Sequence, residues 1–113
     1  GVGVSASARI NFNHCQFTGW RTGVLCYGSS WVNIKDSVFE DNAVGFHFNS
    51  TSDNRNDHMY SGNLFRRNGT AVLLESVPSD QPLYFEGARF SRNGTDIDNR
   101  CGQKVDISQA VFE

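Results

Sequence analysis

Leu64-Phe65-Arg66-Arg67-Asn68-Gly69-Thr70-Ala71-Val72-Leu73-Leu74 decides the fold, because the chain repeats its frame 25 residues later as Arg89-Phe90-Ser91-Arg92-Asn93-Gly94-Thr95-Asp96-Ile97-Asp98-Asn99. Working outward, the same Phe stands at 17, 39 and 112, so the spacings along the chain are 22, 26, 25 and 22 residues. A period in this range marks a solenoid, in which each repeat buries its apolar face against the next.

Counting from each Phe as zero gives the other columns. Seven residues before it stand Ile10, Val32, His58, Leu83 and Val105, and five before stand Phe12, Ile34, Tyr60, Phe85 and Ile107. Two before are the mostly small Cys15, Ser37, Asn63, Ala88 and Ala110. Seven after stand Val24, Phe46, Val72 and Ile97, and nine after Cys26, Phe48, Leu74 and Asn99. Apolar positions two apart read as strands with alternate residues facing inward. All nine Phe of the chain fall on inward columns, which a wrong period would not produce. Three after the Phe come Asn42, Asn68 and Asn93. Asn tolerates the left-handed backbone region, and a sharp bend is expected there. Between the apolar pieces there is no helical periodicity, so the fold class is all-β, with about five rungs stacked some 4.8 Å apart.

The motif x-apolar-x-apolar, then x-x-Phe-x-x-Asn-Gly-x-x-apolar-x-apolar, resembles the right-handed parallel β-helix repeat of the pectate-lyase-like superfamily, over the whole of residues 1–113. A jelly roll or other β-sandwich would not predict one constant register over five units. Enzymes of that superfamily act on acidic polysaccharides, and its lyases use carboxylate-held calcium with a Lys or Arg base. This chain has no Asp-Asp pair and no Gly-His-Gly, Asn-Thr-Asp or Asp-Pro-His motif; Asp57-His58 only echoes the last. No catalytic residue carries over.

At 113 residues and a net charge of −2, one domain is expected, without the basic patch of a nucleic-acid binder. No apolar run of 18 residues suggests a membrane span. Gly1-Val2-Gly3-Val4 aligns with Gly23-Val24-Leu25-Cys26, placing Val2 and Val4 on the plus-seven and plus-nine columns. On that alignment the chain starts and ends mid-rung. A segment of a longer β-helix is expected, completed by further rungs or by end-to-end self-association. Cys15 and Cys26 sit on inward columns and read as buried free thiols, whereas Cys101 lies in a loop. Of the sequons at Asn49, Asn68 and Asn93, the last two are read as bends, and the first lies in a long loop.

Loops 49–57 and 75–82 are the longest and are neighbours on one edge, the usual place for a solenoid's binding face. Outward positions of the first strand beside them carry Asn33, Lys35, Tyr84 and Glu86. An aromatic ring among amides and charges suits a sugar, whose apolar face and hydroxyls need both. Candidate binding residues are therefore Asn33, Lys35, Asp53, Arg55, Asp57, Tyr84 and Glu86. No resident cofactor or metal is expected. Asp53, Asp57, Glu75 and Asp80 are the oxygen ligands a calcium site would draw on, but no spacing fixes them on one centre. Arg66 and Arg67 follow Glu40 and Asp41 one rung on, and simple pairing is expected.

The expected function is a noncatalytic β-helix module of a secreted or cell-surface protein that grips polysaccharide along its outer strand face. Two alternatives stand beside it. One is part of a polysaccharide lyase or related enzyme, with Lys35 or Arg55 as base. The other is the shaft of an adhesin or phage fibre.

Overall fold

A computed structural model describes residues 1–6, 9–51, 60–77 and 82–113, with Arg9 by its backbone alone. The strand β1 (Val2–Ala6) opens the coil. The first full turn runs β2 (Arg9–Asn13), β3 (Gln16–Thr18) and β4 (Thr22–Gly28). The second runs β5 (Trp31–Lys35), β6 (Val38–Glu40) and β7 (Val44–Ser50). Then come β8 (Leu64–Arg66) and β9 (Thr70–Ser76), followed by β10 (Leu83–Tyr84), β11 (Arg89–Ser91) and β12 (Thr95–Asn99). The strands β13 (Val105–Asp106) and β14 (Val111–Phe112) complete the described coil.

Each strand pairs in parallel with its counterpart one turn away, in the orders β1-β4-β7-β9-β12, β3-β6-β8-β11-β14, β2-β5 and β10-β13. The fold is a right-handed parallel β-helix of about four turns, the hand that parallel crossovers take. The Phe column is literal. Phe17, Phe39, Phe65, Phe90 and Phe112 stack with ring centroids 5.0, 4.9, 4.9 and 4.9 Å apart. That spacing is the strand separation of a sheet, so identical residues sit on one another at ring-stacking distance. Val24, Phe46, Phe48, Val72, Leu74 and Phe85 fill the rest of the core.

The register at the first strand is shifted by two from the sequence alignment. Val4 pairs with Val24 and Ala6 with Cys26, so Val4 and Ala6, not Val2 and Val4, hold the inward columns. A two-residue slip leaves every side chain on its original face, so alternation alone could not resolve it. The column that holds Gly3, Gly23 and Gly45 in this register is tight. A Cβ on Gly45 would lie 2.5 Å from the Ala71 carbonyl oxygen, and one on Gly3 2.6 Å from that of Gly23.

The bend also differs. The left-handed residue is the one before each Asn: Asp41 (φ 59°), Arg67 (53°) and Arg92 (57°), with Gly19 (77°) in the same column before Trp20. The Asn side chains point inward instead. Asn68 is 3% exposed; its Oδ1 accepts from the Asn42 backbone N–H and Nδ2, both at 3.1 Å. Its Nδ2 donates to the Phe39 carbonyl and to Asn93 Oδ1, both at 3.0 Å. Asn42 and Asn93 repeat the pattern, with Asn42 Oδ1 accepting from Trp20 N–H at 2.8 Å. A second, shorter ladder runs two residues before the Phe: Cys15 N–H to Ser37 Oγ (3.1 Å), then Ser37 N–H to Asn63 Oδ1 (3.0 Å). Corners that sheet hydrogen bonds cannot serve are thus satisfied by side chains. Among the described residues every buried side-chain nitrogen and oxygen has a partner.

Candidate functional site

The outer face of β2, β5, β10 and β13 carries the residues picked out for sugar binding. Asn33 pairs in register with Asn11, Lys35 with Asn13, and Tyr84 with Asp106. Backbone bonds from Asp36 N–H to Ser61 O (3.0 Å) and from Gly62 N–H to Glu86 O (2.8 Å) carry the face from the second turn to the fourth. Lys35 and Glu86 are therefore on one face, two rungs or roughly 10 Å apart. Asp53, Arg55 and Asp57, with His58 and Asp80, lie outside the described residues.

Within this set the side chains differ in exposure. Asn33 is 6% exposed; its Oδ1 accepts from Trp31 Nε1 (2.9 Å) and its Nδ2 donates to Asn11 Oδ1 (2.8 Å). Its amide is engaged in holding rungs. Lys35 and Tyr84 are half-buried with outward positions, and Glu86 is exposed. Trp31 escaped the column reading because it stands one residue before the inward frame. It is fully buried and packs edge-on against Phe48 at 4.8 Å. Trp20 and Tyr27 are further exposed aromatics, at 43% and 41%.

A second polar face lies outside β3, β6, β8, β11 and β14. Arg66 Nε donates to Glu40 Oε2 at 3.0 Å, and its Nη2 bonds the same oxygen. Arg67 reaches Glu40 Oε1 at 2.7 Å and Asp41 Oδ1 at 3.0 Å. The expected pairing between rungs is thus present. The Arg67 hydrogen bond holds the exposed Asp41 carboxyl below its ordinary range, and Asp41 in turn raises Arg67. Beside them a depression of about 210 Å³ is lined by Leu64, Arg66, Arg89, Ser91 and Glu113, with Arg89 Nη2 donating to Glu113 at 3.0 Å. On the third face His47 Nε2 and Glu75 Oε1 stand 2.8 Å apart. Among the described residues no three His, Cys, Asp or Glu converge as metal ligands.

The three thiols are free. Cys26 is fully buried, with Sγ 3.2 Å from Ser30 Oγ, and burial raises its pKa above the ordinary 9.0. Only the unfolded chain ionises this thiol readily. Its contribution to stability is therefore full below pH 9.0 and falls as pH climbs past that value. Native protein titrated with a chromogenic disulfide at pH 8 should label exposed Cys101 fast and Cys26 only on unfolding. Native-state labelling of Cys26 at the rate of Cys101 would contradict its placement.

Asn49 of the first sequon lies in β7, not in a loop. Asn68 has no room for a glycan on the Nδ2 that bonds Phe39. No protein-family model, curated protein or solved structure matches this chain.

Proposed function

We propose that this chain is a noncatalytic stretch of β-helix within a larger secreted or cell-surface protein, and that its first-strand face grips polysaccharide, as the resemblance to the pectate-lyase-like superfamily suggests. The supporting observation is the division of labour among polar groups. Inward amides and hydroxyls hold rung to rung, and Glu40, Asp41, Arg66 and Arg67 pair among themselves. Lys35, Tyr84 and Glu86 point outward along one backbone-linked face. A rigid face of this kind offers an aromatic ring and charged groups at fixed positions, which suits binding.

The test exposes the 113-residue chain to pectin, alginate and glycosaminoglycans with calcium present. Fast-exchanging NMR shifts at Lys35, Tyr84 and Glu86 are expected, weakened by Tyr84→Ala, with no ultraviolet-absorbing unsaturated product. Depolymerisation by the chain alone would refute the noncatalytic reading. Shifts confined to other faces, or none with any glycan, would refute the binding face.

A further inference from the structure

The lateral depression of about 210 Å³ is lined by Leu64 and Arg66 of β8, Arg89 and Ser91 of β11, and Glu113. Both β8 and β11 are paired on two sides, in the middle of their sheet. The room comes from one column. Glu40, Arg66, Ser91 and Glu113 succeed one another outward, and Ser91 is the small member. The space it leaves adjoins two guanidiniums: Arg66, its in-register neighbour, and Arg89, two residues earlier on the same face.

These groups keep donors in reserve. A guanidinium carries five N–H groups. Arg66 directs its Nε–H and an Nη2–H to Glu40, and Arg89 directs an Nη2–H to Glu113, leaving the others without an acceptor. Among the described residues the Ser91 hydroxyl makes no hydrogen bond, and the exposed Arg92 beside it makes no ion pair. Along β6, β8, β11, β14 and the bends that follow them, Arg66, Arg67, Arg89 and Arg92 stand against Glu40, Asp41 and Glu113, so positive charge is in excess by one.

We propose that this depression is an oxyanion site, which takes the sulfate or phosphate group of a ligand between Arg66 and Arg89, over Ser91. Arginine meets such groups with charge-assisted hydrogen bonds. Guanidiniums from two strands and a hydroxyl between them approach from three directions, which suits a tetrahedral group better than a flat carboxylate. Glu113 is the acidic member of the lining. Its pair with Arg89 has side chains 61% and 47% exposed, so it is weak and yields to a doubly charged group. Glu113 therefore competes with the ligand for Arg89. The site lies apart from the first-strand face and does not rest on the polysaccharide reading.

The test follows the arginine Nε–H NMR signals of the 113-residue chain as sodium sulfate or sodium phosphate is added, with sodium chloride at equal ionic strength as the reference. Sulfate, phosphate or both should give saturable shifts at Arg66 and Arg89, the tighter anion naming the group, and chloride should give none. Arg89→Gln should weaken binding at least about tenfold, as the loss of a charge-assisted hydrogen bond does. Glu113→Gln should strengthen it, an opposite effect that a mere surface ion pair would not produce. Both side chains are exposed, so neither variant threatens the fold. Arg100→Gln, whose ion pair with Asp98 lies on another face, should change nothing. Shifts that follow ionic strength alike in all three salts would overturn the proposal. So would variants of Arg89 and Glu113 that act in the same direction or not at all.

Discussion

Asn68→Ala is expected to lower the stability of the fold by about 1–3 kcal/mol, from one buried backbone N–H left without a partner. The Asn42 N–H depends on the Asn68 amide, whereas the Phe39 carbonyl that accepts from Asn68 Nδ2 keeps its bond in the β6–β8 ladder. The neighbouring amides are protected: Asn42 Nδ2 still has the Phe17 carbonyl, and Asn93 Oδ1 still has the Asn68 N–H. Set against a total of about 5–15 kcal/mol for a domain, such a loss is large. Asn68→Asp should be worse. Its carboxylate would face the Phe39 carbonyl and Asn93 Oδ1, acceptors both, in a site with almost no solvent. Asn93→Ala removes the same two kinds of bond from a half-buried position, where water replaces part of them, and should cost least of the three. Urea unfolding followed by circular dichroism gives the order. An Asn68→Ala midpoint within about 0.5 kcal/mol of the parent, the range of ordinary surface changes, would show that the ladder does not hold the rungs.

The role of Asn68 also marks where reading the sequence stops. The Phe columns were legible because strand alternation is local: a wrong period would scatter Phe12, Phe46, Phe48 and Phe85 over both faces, and all four pack in or against the core. The Asn column was legible as a repeat but not as a ladder. Its meaning depends on a carbonyl and an amide roughly one rung away, and no property of the local sequence distinguishes a left-handed bend at Asn68 from one at Arg67. The same holds for Asn33. Its outward position is correct by count, yet Trp31 two residues earlier folds over it and takes its oxygen. For Lys35, Tyr84 and Glu86 the count gave the face, but how far each protrudes is set by neighbours one turn away in the chain.

Phe65→Ala should cost about 3–5 kcal/mol, the range for emptying a fully buried Phe site. Phe65 is 1% exposed and lies between Phe39 and Phe90 at 4.9 Å from each. Phe65→Leu separates two contributions. It keeps most of the volume but loses both ring stacks, each of which contributes about 0.5–1.5 kcal/mol beyond area. It should therefore fall between the parent and Phe65→Ala. Phe112→Ala should leave the stability of these 113 residues within about 1 kcal/mol of the parent, since a side chain already 44% exposed has little burial to lose. The gradient follows from the solenoid itself, because each rung is held only by its two neighbours. A hole at Phe65 weakens the contact on both sides of the middle rung at once. The loss should then appear as a lower slope in urea as well as a lower midpoint, the halves of the stack unfolding less as one unit. Equal costs for Phe65→Ala and Phe112→Ala, with unchanged slope, would mean that the column is a repeat in sequence without being the axis of stability.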